Sequence, residues 1–286
     1  MGDDLSVKSK SRHAARPKAG EMTPLQLSPS GISTFRQCRQ RYKFQYIDKL
    51  GDKYGRPRPY FTMANHIHDT VNDFLRLKPL QLRTVTTIEQ ILQKNWQRYH
   101  VGFRNEADEK RWHEKALAQL RAFVTKHDVN VHPVMMEEFL RAEIAPGLVL
   151  CGRLDRVDKE RDGSLHIIDY KTGNMPHEVD WMQLEFHALI LSRRLSLPIG
   201  KVSYLYLGTS SLETSSMSRD RLVQAQWDFL VAAKAITGEK KFAPSPSVWC
   251  RNCDFLPICP KKAEILPSPA DGQLELWDEP DESDHH

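Results

Sequence analysis

The chain has 286 residues, is 40% hydrophobic and carries a formal net charge of +4. That length supports one large domain with a real core, and no apolar run approaches the roughly 20 residues that a membrane span needs. The first ten residues lack an apolar signal core, so a cytoplasmic protein is expected, and five cysteines at irregular spacing point to ligands or core thiols before disulfides.

The charge is unevenly spread. From Glu264 to the C-terminus there are eight acidic residues and no Lys or Arg, so the part before it sets 41 basic against 29 acidic residues, a net of +12. A basic body suits a polyanion such as nucleic acid, and it also suits an ordinary solvated surface. Residues 264–286, with Pro267, Pro269 and Pro280, read as a disordered acidic tail that can screen that surface.

Residues 1–25 are polar and basic and read as flexible; one folded domain is expected over 26–263. Ser30 can cap a helix whose apolar positions Ile32, Phe35, Tyr42 and Tyr46 follow helical spacing, with Cys38 in the same buried stripe. A second helix is predicted over 62–77, where Ala64, His68, Val71 and Leu75 share a face and turn His68 inward. Residues 83–130 have a helical composition anchored by Trp96, Tyr99, Trp112, Leu117, Leu120 and Phe123, and read as a helical insertion or cap. Trp96, Trp112 and Phe123 fit the core of that cap better than a base-stacking platform. Strands follow at 134–144, 147–158 and 164–171, then a helix at 178–195, a strand at 202–207 and a helix at 219–237 that ends before Gly238. Strands interleaved with helices indicate an α/β domain, a mixed central sheet flanked by helices.

The most informative stretch is the predicted hairpin at 147–171. Residues two apart on a strand share a face, so Asp169 and Lys171 project together while Ile168 and Tyr170 turn the other way. Asp162-Gly163 is a turn signal, which brings Asp155 on the preceding strand toward Asp169. Two clustered carboxylates attract a hard divalent cation such as magnesium or manganese, and a lysine beside them supplies positive charge to a reacting water or phosphoryl oxygen.

A second constellation lies near the C-terminus, where Cys250, Cys253 and Cys259 fall within ten residues. Two cysteines in C-x2-C spacing can bind one metal and the third leaves a single vacancy, for tetrahedral zinc or for an iron-sulfur cluster. Cys38 is the best candidate for the fourth ligand, because Cys151 shares the side-chain parity of Asp155 and reads as a core or near-site thiol.

Six segments in order carry a family resemblance: Ser28-Pro-Ser-Gly-Ile-Ser-Thr-Phe-Arg-Gln-Cys38, Ala64-Asn-His-Ile-His68, Gly152-Arg-Leu-Asp155-Arg, Ile167-Ile-Asp169-Tyr-Lys171-Thr-Gly, Gln183-Leu-Glu-Phe-His187, and the cysteine trio. Over residues 28–260 the chain resembles the PD-(D/E)XK nuclease superfamily, in its RecB-like, AddB-like branch with an iron-sulfur cluster. The resemblance implies a restriction-endonuclease-like core and a catalytic metal held by His68, Asp155 and Asp169. It implies that Lys171 positions or activates the attacking water, that Gln183 completes the site from the following helix, and that the glutamate before the hairpin is Glu138. It also implies a 4Fe-4S cluster on Cys38, Cys250, Cys253 and Cys259, where spacing alone allows zinc equally. Two positions depart from the family: Ala64 stands where glycine is usual, and His187 stands where tyrosine is usual.

The expected function is therefore a metal-dependent DNA nuclease, exonuclease-like, acting on single strands or duplex ends in repair or recombination. The alternatives are a subunit of a CRISPR-adaptation complex, a non-catalytic DNA-binding module with a structural cluster, and a zinc-ribbon interaction protein. No G-x4-G-K-[ST] occurs in the chain, so any ATP-driven unwinding requires a helicase partner.

Overall fold

Runs of alternating apolar residues build the centre of a mixed sheet in the computed structural model, which describes residues 24–266 except Ser196. Nearly all of the expected N-terminal arm and acidic tail lies outside the described residues. The strands are β1 (Leu25–Leu27), β2 (Met135–Ala145), β3 (Leu148–Lys159), β4 (Leu165–Lys171), β5 (Ile199–Tyr206) and β6 (Ser211–Ser216). The helices are α1 (Pro29–Gln37), α2 (Arg39–Tyr42), α3 (Gly51–Tyr54), α4 (Pro59–Leu75), α5 (Val85–Trp96), α6 (Glu106–Lys126), α7 (Met182–Arg194), α8 (Arg219–Gly238) and α9 (Lys262–Ile265). Among the described residues no helix is long and apolar enough to cross a membrane.

β3 organises the sheet. One of its edges pairs antiparallel with β2, and the other is shared, with β1 running parallel at residues 148–150 and β4 antiparallel at 156–159. Asp162-Gly163 makes the expected turn: Gly163 has φ +85°, a left-handed conformation that glycine adopts without steric cost, and the Asp162 carboxylate accepts the Ser164 N–H. A parallel pair needs a crossover, and α7 supplies it between β4 and β5.

Each face of the sheet buries its own core. Leu150, Leu154, Ile167 and Val202 meet Leu184, Phe186 and Phe229 of α7 and α8 on one side. Ile168, Tyr170 and Leu205 meet Ile67, Phe74, Leu92, Leu120 and Phe123 of α4 to α6 on the other. The opposite facing of Ile168 and Tyr170 is as the strand period predicts. The helical stretch at 83–130 is more than a cap: with α4 it forms one of the two covering layers, and Phe74 and Phe123, 0% and 1% exposed, each contribute about 2–3 kcal/mol by burial.

Two local expectations change. Ser28, not Ser30, caps α1 by accepting the Gly31 N–H, and the helix stops at Gln37 because Cys38 is extended, at φ −157° and ψ 112°. Cys38 is therefore outside the buried stripe; its Sγ instead accepts the Arg41 N–H at 3.5 Å and caps α2. β1 and β6 were not anticipated, since three residues are too few to show a period and β6 reads Ser-Leu-Glu-Thr-Ser-Ser.

Candidate active site

The site forms where β3 and β4 part. Their ladder ends at Arg156 opposite Ile168, and one step further the Asp155 Oδ2 atom takes the place of a backbone acceptor, receiving the Tyr170 N–H at 2.8 Å. Regular alternation also fails here. Leu154 and Val157 are three apart yet lie in the same core, so β3 rotates between them. That rotation aims Asp155 at α4, where His68 Nδ1 stands 3.4 Å from Asp155 Oδ1 and 3.4 Å from Glu137 Oε1.

Glu137 corrects the expectation for Glu138. Directly paired residues share a face, and Glu138 pairs with Leu154, whose side chain belongs to the α7-side core. Glu137 falls between the Met136–Arg156 and Glu138–Leu154 pairs with φ +51°, and this left-handed turn swings its carboxylate to His68 and to Arg153, 3.4 Å away. A side chain in that conformation costs about 1–2 kcal/mol. Glu137→Gly should accordingly unfold at higher denaturant than Glu137→Ala, by about 1 kcal/mol, because both lose the carboxylate and only glycine relieves the backbone. Equal stability of the two variants would show that the turn is unstrained.

Asp169, Lys171 and Gln183 close a second network on the α7 side. Lys171 Nζ lies 2.8 Å from Asp169 Oδ1 and donates to Gln183 Oε1 at 2.7 Å, while Gln183 Nε2 donates to Asp169 Oδ2 at 2.7 Å. The ammonium also sits 4.9 Å from the Tyr204 ring centre, a cation–π contact that further fixes it. Gln183 reaches the network from the first turn of α7.

Charge explains what the site can hold. Burial and the nearby Asp169 carboxylate push the Asp155 carboxyl above its usual range, against the pull of His68. Burial alone would lower the His68 pKa, yet Asp155 and Glu137 raise it well above the ordinary value. Three carboxylates thus converge where a cation relieves their repulsion. His68, Glu137 and Asp155 have ligand atoms all within 4.8 Å of one another, the arrangement a metal ion needs. Asp169 is outside that tight group, but its buried Oδ1 makes no hydrogen bond in spite of the ammonium nearby and keeps a lone pair free. The residues present therefore fit a divalent cation.

His187 lies one helical turn beyond Gln183, 2% exposed, and burial depresses its pKa to about 4. Its ring packs on Gly152, where an added Cβ would stand 2.9 Å from His187 Nε2. A ring so buried cannot swing aside, so Gly152→Ala should destabilise the fold by about 1–3 kcal/mol, read by chemical denaturation. A neutral result would mean that α7 shifts freely. This packing accounts for the glycine before Asp155, which no sequence period signals.

The five cysteines are free thiols. Cys38, Cys250, Cys253 and Cys259 line one cavity together with Phe44, Phe255 and Leu256. Cys151 lies elsewhere, its thiol donating to the Leu27 carbonyl at 3.4 Å, since four residues of strand set it about 13 Å from Asp155.

Residues 26–260 match the sequence profile of the PD-(D/E)XK nuclease superfamily. No curated protein matches the chain. Among solved structures, SSO0001 is 16% identical, with 86% of this chain and 89% of that chain covered and a TM-score of 0.39. A presumed exonuclease from Eubacterium rectale is 12% identical, with 80% of this chain and 86% of that chain covered and a TM-score of 0.48.

Proposed function

The chain belongs to the PD-(D/E)XK nuclease superfamily, and on that premise we propose that it is a metal-dependent deoxyribonuclease, an exonuclease of RecB type serving repair or recombination. One observation carries the reading: Asp155, Asp169, Lys171 and Gln183, drawn from three elements, meet at the parting of two strands beside His68 and Glu137. His68, Glu137 and Asp155 would hold the cation, with Asp169 beside them. When bound, magnesium or manganese there supplies Lewis acidity toward the phosphoryl group and acidifies the attacking water.

The rest of the work falls to the chain itself. Asp169 and Gln183 hold the Lys171 ammonium at one point, so that it can orient the attacking water and stabilise charge growing on the phosphoryl oxygens without reorganising. A basic body of net +12 favours the polyanion and predicts binding that weakens with salt. Any ATP-driven unwinding of the substrate would fall to a helicase or repair-complex subunit, because this sequence carries no P-loop.

We assign Cys38, Cys250, Cys253 and Cys259 as ligands of a 4Fe-4S cluster. Zinc on the same four thiols is the alternative, since the C-x2-C spacing suits either group. The setting in a largely apolar cavity, and backbone N–H groups on the sulfurs of Cys38 and Cys250, suit the cluster. Free thiols suit the reducing cytoplasm.

The test is incubation of purified protein with end-labelled single- and double-stranded DNA in magnesium, in manganese and in chelator. A metal-dependent ladder shrinking from one end is expected. DNA left intact in both metals, or cut equally in chelator, overturns the reading, while internal cuts in circular DNA would replace the exonuclease with an endonuclease.

A further inference from the structure

Among the eleven phenylalanines of the chain, only Phe61 and Phe139 are exposed, each at 61%. Both stand beside the carboxylates. Phe61 precedes His68 by seven residues on α4, so it shares that helical face and lies about 10 Å along the axis from it. Phe139 follows Glu137 by two residues on β2, about 7 Å along the strand. Leu140 is buried in the α7-side core, so its neighbour Phe139 faces the α4 side of the sheet. Its partner across the ladder is Arg153, 64% exposed at the side chain and paired with Glu137.

α4 and β2 thus each bring one exposed ring to the region where His68 meets Glu137. Phe61 sets part of its ring against Tyr60, 4.5 Å between ring centres, and leaves the rest in solvent. The Arg153 guanidinium beside Phe139 offers a phosphate contact, and the two exposed rings offer stacking faces.

Resting on the nuclease reading above, we infer that Phe61 and Phe139 are base-stacking residues that hold a single strand across the site, with Arg153 on its backbone. A duplex keeps its bases stacked on each other and offers these rings nothing, so the pair selects unpaired DNA. Stacking on an aromatic ring tolerates any base, which suits progressive digestion. The rings position the substrate and take no part in the chemistry.

The experiment uses the full chain. Binding is measured by fluorescence anisotropy in calcium with a single-stranded oligonucleotide, the same strand with abasic residues, and the duplex, and single-strand cleavage is measured in magnesium. Phe61→Ala and Phe139→Ala should each weaken the normal strand about tenfold, with the abasic strand bound as weakly by wild type as by the variants. Phe61→Trp and Phe139→Trp should restore affinity, which a merely structural role would not predict. Wild type binding the abasic and normal strands equally, or alanine variants that bind and cut single strands undiminished, overturns the platform and leaves the nuclease reading standing. Wild type that neither binds nor cuts any DNA overturns both.

Discussion

Lys171→Ala should slow phosphodiester hydrolysis by about 10²–10³-fold, the usual cost of removing one fixed donor from a charge-stabilising site, while single-strand affinity stays within a few fold of wild type. The ammonium is held by Asp169 and Gln183 at 2.8 and 2.7 Å, so its position is set before substrate arrives. Such pre-organisation acts on the transition state more than on binding. Lys171→Ala also leaves Asp169, 3% exposed, without its counter-charge, which threatens stability. Lys171→Gln separates the two effects: its amide can still donate to Asp169 and support the fold, yet it carries no charge, so it should remain folded and stay inactive. Single-turnover cleavage and thermal unfolding of both variants decide the matter. Activity within a few fold of wild type in a folded Lys171→Gln protein would sink the catalytic assignment.

The second large effect is expected at the cysteines. Cys38 and the trio at 250–259 are more than two hundred residues apart in the chain yet line one cavity, so a cluster bound by all four clasps the two ends of the domain. Cross-linking a loop of that length constrains the unfolded chain by on the order of 5 kcal/mol, comparable with the 5–15 kcal/mol, roughly, that holds a whole domain. Cys38→Ser, Cys250→Ser, Cys253→Ser and Cys259→Ser should each abolish the brown colour of anaerobically purified protein and most of its solubility. Cys151→Ser should keep both, because that thiol sits against Leu27. Iron content and absorbance near roughly 400 nm provide the readout for a thiolate-bound cluster. A colourless protein with one zinc would replace the cluster and retain the clasp, and bleaching by Cys151→Ser alone would refute the ligand set.

Much of this architecture was legible because short-range periods encode it. The facing of Asp169 and Lys171 against Ile168 and Tyr170 follows from a period of two, and the Asp162-Gly163 turn from glycine's freedom at φ +85°. The helix carrying Gln183 and the strand after it followed from patterns of the same local kind. The failures lie where a local rule is broken to build the site. Nothing in Met-Met-Glu-Glu-Phe tells Glu137 from Glu138; the φ of +51° that selects Glu137 is imposed by the pairing of β2 with a rotated β3. Of the two readings open for Cys151, core or near-site thiol, its contact with the buried Leu27 supports the first.

Cys38 continues a helical stripe in the sequence, but the chain leaves the helix there and turns the thiol toward the cysteine cavity. The strands and helices that carry the site residues were readable in advance, because periodicity is a property of neighbours along the chain. Which acid faces His68 and which two phenylalanines stay in water were set by the folded packing, because strained backbone and contacts between layers depend on neighbours that no local window contains.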